Sequence, residues 1–133
     1  IQGENGSPFK IRTPMWVNQD GSLQMNADLE NGDIGHLLVG SREKCIDAAR
    51  LATFEALSSL GSSKLALALV FADVSWQMLL EGQSGVEISA IREVLGPNIP
   101  IAGGYTFGQI SRDKQSNKID LLNQHIEVVL IGE

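Results

Sequence analysis

The sequence predicts an α+β domain of mixed α/β character, with a central mostly antiparallel sheet covered by helices. Three observations predict it. Leu65–Phe71 is apolar throughout, the mark of a strand buried on both faces. In Ser41–Leu60, the residues Cys45, Ile46, Ala49, Ala52, Ala56, Leu57 and Leu60 recur at i, i+3, i+4, i+7 spacing, the core stripe of one long helix. On both sides of that pair, short apolar or alternating runs are separated by Gly, Asn, Asp and Pro, the pattern of strands and turns. At 133 residues the chain is of single-domain size, and 1–133 reads as one domain.

In chain order, Ile1–Ser7 is polar and Gly-rich and reads as a linker from a part that precedes it. Pro8 and Pro14 frame Phe9–Thr13, an alternating stretch that predicts a strand. Asp20-Gly21 supplies the positive φ of a tight hairpin, so Ser22–Asn26 is the returning strand. After the turn Asn31-Gly32-Asp33, the segment Ile34–Val39 predicts another strand, with Ile34, His36 and Leu38 on one face. Ser41 is the expected N-cap of the long helix and Gly61 its terminator. Asp73 can cap a short helix over Val74–Leu80. Ser84-Gly85-Val86-Glu87 has capping-box spacing and opens a helix to Leu95, with Ile88, Ile91 and Leu95 on the buried side and Gly96-Pro97 as the stop. Ile99–Ala102 predicts a strand. Phe107–Ser111 and Ile119–Leu122 read as hairpin strands, and Ile126–Ile131 as the last strand.

Composition narrows the function classes. The formal net charge is −6 and no Lys/Arg stripe forms, which argues against a nucleic-acid partner. The longest apolar run, Leu65–Ala72, is far short of the ~20 residues of a membrane-spanning helix. Cys45 is the only cysteine, so no internal disulfide forms, which fits a reducing compartment. Catalytic and metal constellations are weak. His36 and His125 are the only histidines, and a metal site would need both to converge with a carboxylate. Cys45 sits on a core stripe and needs no reactivity to explain it. Ser75 and Ser111 have no visible base partner and no G-x-S-x-G elbow surrounds them. The expectation is a non-enzymatic domain without a cofactor.

Two segments can build a ligand site. Gly103, Gly104 and Gly108 surround Tyr105 and Phe107, with Gln109 following. They come after a strand and run into another strand, so they lack the helix N-terminus of a phosphate-binding loop. Such a segment can wall a pocket, with rings as sides and glycines letting backbone approach closely; a bulge or bend needing positive φ explains it equally. Asp73 ends a buried strand beside Trp76. That places a carboxylate and a cation–π face at a crevice, with an N-cap carboxylate and a core tryptophan as the other explanation. Leu51 and Phe54 lie off the core stripe of the long helix, on the face of Asp47, Arg50 and Ser58, and suggest a contact surface.

Leu69–Asp73, Glu87–Arg92, Pro100–Ile110 and Asn123-Gln124-His125 before the last strand together resemble the C-terminal domain of FIST (F-box and intracellular signal transduction) proteins. Pro100–Ile110 is the most specific of these motifs, and the resemblance covers nearly the whole chain. Asp73 stands where a family cysteine often occurs, Gln109 replaces a common glutamate and His125 a usual threonine, so thiol chemistry does not carry over. The resemblance implies a cytoplasmic sensory module that binds a small ligand such as an amino acid or related metabolite. It also implies an N-terminal FIST-like half, which Leu51 and Phe54 would dock; a second copy of the chain is the other occupant. The expected ligand-binding residues are Asp73, Trp76, Gly103, Gly104, Tyr105, Phe107, Gly108 and Gln109. The competing expectation is a non-catalytic interaction or assembly module without a small ligand.

Overall fold

The structure, a computed structural model, describes residues 11–80, 82–83, 85–112 and 119–133. The element order is β1 (Pro14–Val17), β2 (Leu23–Met25), α1 (Arg42–Leu60), β3 (Leu65–Asp73), α2 (Ser75–Leu79), α3 (Val86–Leu95), β4 (Ile101–Thr106), β5 (Gln109–Arg112), β6 (Ile119–Leu122) and β7 (Ile126–Gly132). This is an α+β architecture.

The central sheet has three strands in the order β4-β3-β7. β3 is its middle strand because its apolar run satisfies neighbours on both sides. It pairs in parallel with β4, from Ala68↔Ile101 to Asp73↔Thr106, and antiparallel with β7, including Val70↔Val128 and Ala72↔Ile126. The sheet is therefore mixed, while β1–β2 and β5–β6 are separate antiparallel hairpins. α1 packs on α3, β7 and α2. The core lies where those helices meet one sheet face, and joins Cys45, Ala49, Val70, Ala72, Trp76, Leu80, Ala90, Ile91 and Ile126. Small residues dominate it, which lets α1 approach closely.

Local signals account for the helix ends. The Ser41 Oγ accepts from the Lys44 N–H at 3.3 Å, and Gly61 with φ +68° ends α1. Gly96, with φ +89°, ends α3. Thr53 joins the α1 stripe fully buried, its hydroxyl donating to the Ala49 carbonyl at 2.7 Å.

Several expectations are corrected. Ile34–Val39 forms no strand, for it pairs with no other segment among the described residues; Ile34, Leu37 and Val39 are exposed. Of the Phe9–Thr13 stretch, residues 9 and 10 lie outside the described residues and 11–13 are not in a strand, pairing starting at Pro14. The capping-box Ser84 is likewise outside them, and the N-cap of α3 is Gly85 with φ +89°. β3 is buried on one face only: Ala68, Val70 and Ala72 face the helices, while Leu65, Leu67, Leu69 and Phe71 are half-buried. β4 begins at Ile101 and runs through the glycines to Thr106. The fully buried residues of α3, which packs on α1, are Glu87, Ala90 and Ile91; of the expected stripe, Ile88 and Leu95 are only partly buried, though packed against the core.

Candidate functional site

Parallel pairing of β4 on β3 aligns Val70 with Gly103 and Ala72 with Tyr105. Paired residues in neighbouring strands point to the same face, so Gly103 leaves a gap on the helix side of the sheet. An ideal Cβ at Gly103 would lie 1.8 Å from the Val70 carbonyl oxygen, and its φ is +141°. Only glycine permits this approach of β4 to β3. Above the gap stands the first turn of α3. The space between is a cavity of about 340 Å³, lined by Val70, Ala72, Ile101, Ala102, Gly103, Gly104 and Tyr105 from the sheet and by Gly85, Glu87 and Ile88 from α3.

Glu87 is the polar centre of the cavity wall. It is only 2 % exposed. The Tyr105 hydroxyl donates to its Oε1. Its Oε2 is buried and has no hydrogen-bond partner among the described residues. Behind it, burial pushes the Cys45 thiol up from its ordinary value, and the negative charge of Glu87 adds to that rise. Cys45 is a buried free thiol held in its protonated form at neutral pH, which makes it a poor nucleophile.

Gly103, Gly104 and Tyr105 line the cavity, and the other expected residues lie outside this lining. Asp73 and Tyr105 do emerge at the same end of adjacent strands. The Asp73 Oδ1 accepts from the Ser75 N–H at 2.9 Å, but Asp73 is not the expected N-cap: α2 is Ser75–Leu79, its N-cap is Val74, and that cap makes no side-chain bond. Trp76 is a core residue whose Nε1 donates to the Gln124 carbonyl at 3.0 Å. Phe107 is 90 % exposed. Gly108 sits in a turn with φ +96°, against Asn123 and Leu122. Gln109 is buried, and its Nε2 donates to the Thr106 Oγ1 at 2.9 Å and reaches the Phe71 carbonyl at 3.3 Å. Of these five, Gln109 ties β5 to β3 and β4 through its side-chain amide.

Sequence reasoning missed Glu87 as a site residue. As the fourth residue of a capping box it had a sufficient local explanation. The signal that could have found it is its spacing from Ala90 and Ile91, i+3 and i+4, which puts a carboxylate on the apolar stripe of α3.

Among the described residues, no group of three or more His, Cys, Asp and Glu could hold a metal ion. No described helix is long and apolar enough to cross a membrane. The fold and cavity thus define a helix-covered α+β domain with a small, largely apolar, open cleft at the α3–β4 junction. The family model that matches the chain is that of the FIST C domain, over residues 2–112. The match spans most of the chain, which belongs to the FIST C domain family. The domain is associated with signal transduction. No curated protein and no solved structure matches the chain.

Proposed function

We propose that this chain is an intracellular sensory domain that binds a small ligand, an amino acid or related metabolite, in the α3–β4 cavity. The observation that carries the reading is the cavity itself. Its volume of about 340 Å³ falls within the range of small-molecule sites, at the small end. It is built on a strand pair and a helix rather than on loops, which holds its walls in place. Its position also suits a sensor: Val70 and Ala72 form part of the wall and are central core residues, so a ligand there touches the packing of the whole domain. The same reading has the protein in the cytoplasm, with Leu51 and Phe54 facing an N-terminal FIST-like half or a second copy; both are exposed on α1.

The test is a thermal-shift screen of amino acids and small metabolites at millimolar concentration. A ligand at a hundred times its Kd adds about 2.7 kcal/mol to stability by mass action, which shifts Tm by several degrees. The expected result is one chemical class of hits that also perturbs the amide resonances of Gly103 and Gly104. A screen without hits would leave the second reading, an interaction module without a small ligand. That reading is favoured by Val129 and Ile131, which are partly exposed on the sheet face away from the helices.

A further inference from the structure

We infer that Glu87 is the recognition group of the cavity, and that it selects ligands carrying an ammonium group. This inference rests on the reading of the cavity as a ligand site and adds the chemistry that the site selects.

A carboxylate is an acceptor with two oxygens, and buried carboxylates almost always have both satisfied. Glu87 is buried with one oxygen satisfied. Oε1 takes the Tyr105 hydroxyl, and Oε2 has no partner among the described residues. Burying an acceptor without a donor costs free energy, more so for a charged group. Glu87 is the polar member of the buried stripe of α3, whose other members Ala90 and Ile91 are plain core residues, and the Tyr105 bond accounts for only one of its two oxygens. Glu87 also forms part of the cavity wall; Oε2 itself has almost no accessible surface, so a donor carried in by a ligand completes its shell only with a small outward shift of α3.

The surroundings define that donor. A divalent metal ion needs several oxygen ligands, and the described residues offer no such cluster here. An anionic group would meet the carboxylate as a like charge. Val70, Ile88 and Ile101 supply apolar walls that suit a short carbon chain. A small organic cation with N–H donors satisfies every condition at once: a charge-assisted hydrogen bond to Oε2 and apolar contact for its carbon body. Tyr105 is then a positioning residue, holding Oε1 so that Oε2 is presented in one orientation.

The experiment titrates isotope-labelled protein with n-butylammonium, butyrate and 1-butanol at constant ionic strength, following amide shifts of Gly103, Gly104 and Glu87. The three probes share a carbon chain and differ in charge and donor capacity. The expected order is n-butylammonium tightest. Glu87→Gln should weaken it about ten- to a hundredfold, the range for a charge-assisted hydrogen bond lost from a buried site. Glu93→Gln, which removes an exposed carboxylate paired with Arg50, controls for net charge and should leave the affinity unchanged. If Glu87→Gln does not fold, the side-chain carboxyl carbon of Glu87 in the unsubstituted protein gives the same information, moving with the Kd of the cavity amides. Butyrate or 1-butanol binding as tightly as n-butylammonium, a Glu87→Gln variant that binds it unchanged, or an unmoved Glu87 carboxyl resonance overturns the inference and leaves the cavity a ligand site. Silence of the cavity amides with all three probes overturns both.

Discussion

Gly103→Ala is the sharpest perturbation the fold offers. The added Cβ would sit 1.8 Å from the Val70 carbonyl oxygen, 2.7 Å from its carbon and 2.9 Å from its nitrogen. These are backbone atoms of the central strand, so no side chain can rotate away. The φ of +141° adds a conformational penalty of about 1 kcal/mol or more for any L-residue. Relieving the overlap requires β4 to shift away from β3, which weakens ladder bonds and costs about 1–3 kcal/mol, as overpacking does elsewhere. The sum is about 3 kcal/mol, a large share of the roughly 5–15 kcal/mol that holds a domain folded. Gly104→Ala is the control. Its Cβ would meet nothing within 4 Å, and its φ lies outside the left-handed region, so the cost should stay under about 0.5 kcal/mol. Urea unfolding followed by circular dichroism measures both, with equal m-values licensing the comparison. Equal stability losses for the two variants would refute the close-approach argument, and with it the account of how the cavity floor is formed.

Cys45 should resist alkylation in the folded protein, by about a hundredfold or more relative to the unfolded chain, because labelling must wait for opening. Its raised pKa also sets a sign: the thiol contributes stability below its unfolded pKa and loses it as pH rises toward the folded value, so unfolding free energy should fall on the alkaline side. Asp20 is held below the usual carboxylate range, first by the Ser22 hydroxyl and then by the Ser22 N–H. Its contribution to the β1–β2 turn is present above the ordinary carboxylate pKa and lost as pH falls through the depressed one; Ser22→Ala should move the Asp20 carboxyl titration upward by NMR. Phe54→Ser should change stability by less than about 1 kcal/mol, since the ring is 56 % exposed, yet weaken association with an upstream FIST-like half or a second copy in sedimentation. A large loss of stability would show that the ring belongs to the core.

What could be read from the sequence follows from the range of the forces involved. Both ends of α1 and the C-terminal end of α3 are set by a cap or a terminating glycine within a few residues, and these were legible; the start of α3, at Gly85 with no side-chain cap, was not. So were β3 and β7, whose apolar runs have few alternatives. Ile34–Val39 alternates like a strand but pairs with no other strand among the described residues, and alternation without a paired strand does not make one. At the site, Gly103, Gly104 and Tyr105 stood out because close glycines beside an aromatic ring are unusual in a strand. Asp73 and Trp76 each have two roles open in the sequence, and which neighbours they meet depends on the fold: the Ser75 amide bonds the carboxylate, and the Gln124 carbonyl bonds the indole. Glu87 was hidden because its significance depends on how α3 is rotated about its axis, a property of the assembled layers.

The placement of β3 between β4 and β7 also has a kinetic side. The two hairpins close over short spans, whereas β3 must find partners as distant as Ile101 and Leu130 from Ala68. The entropy of those closures has to be met before the sheet returns any pairing energy. The β3 amides bonded to both neighbours should therefore exchange with deuterium only through global opening, while the β1–β2 hairpin exchanges through local fraying. The floor of the cavity would then be among the last parts to assemble and the most protected once formed. The sheet wall of the cavity is then rigid, and motion at the cavity is confined to the helix above it.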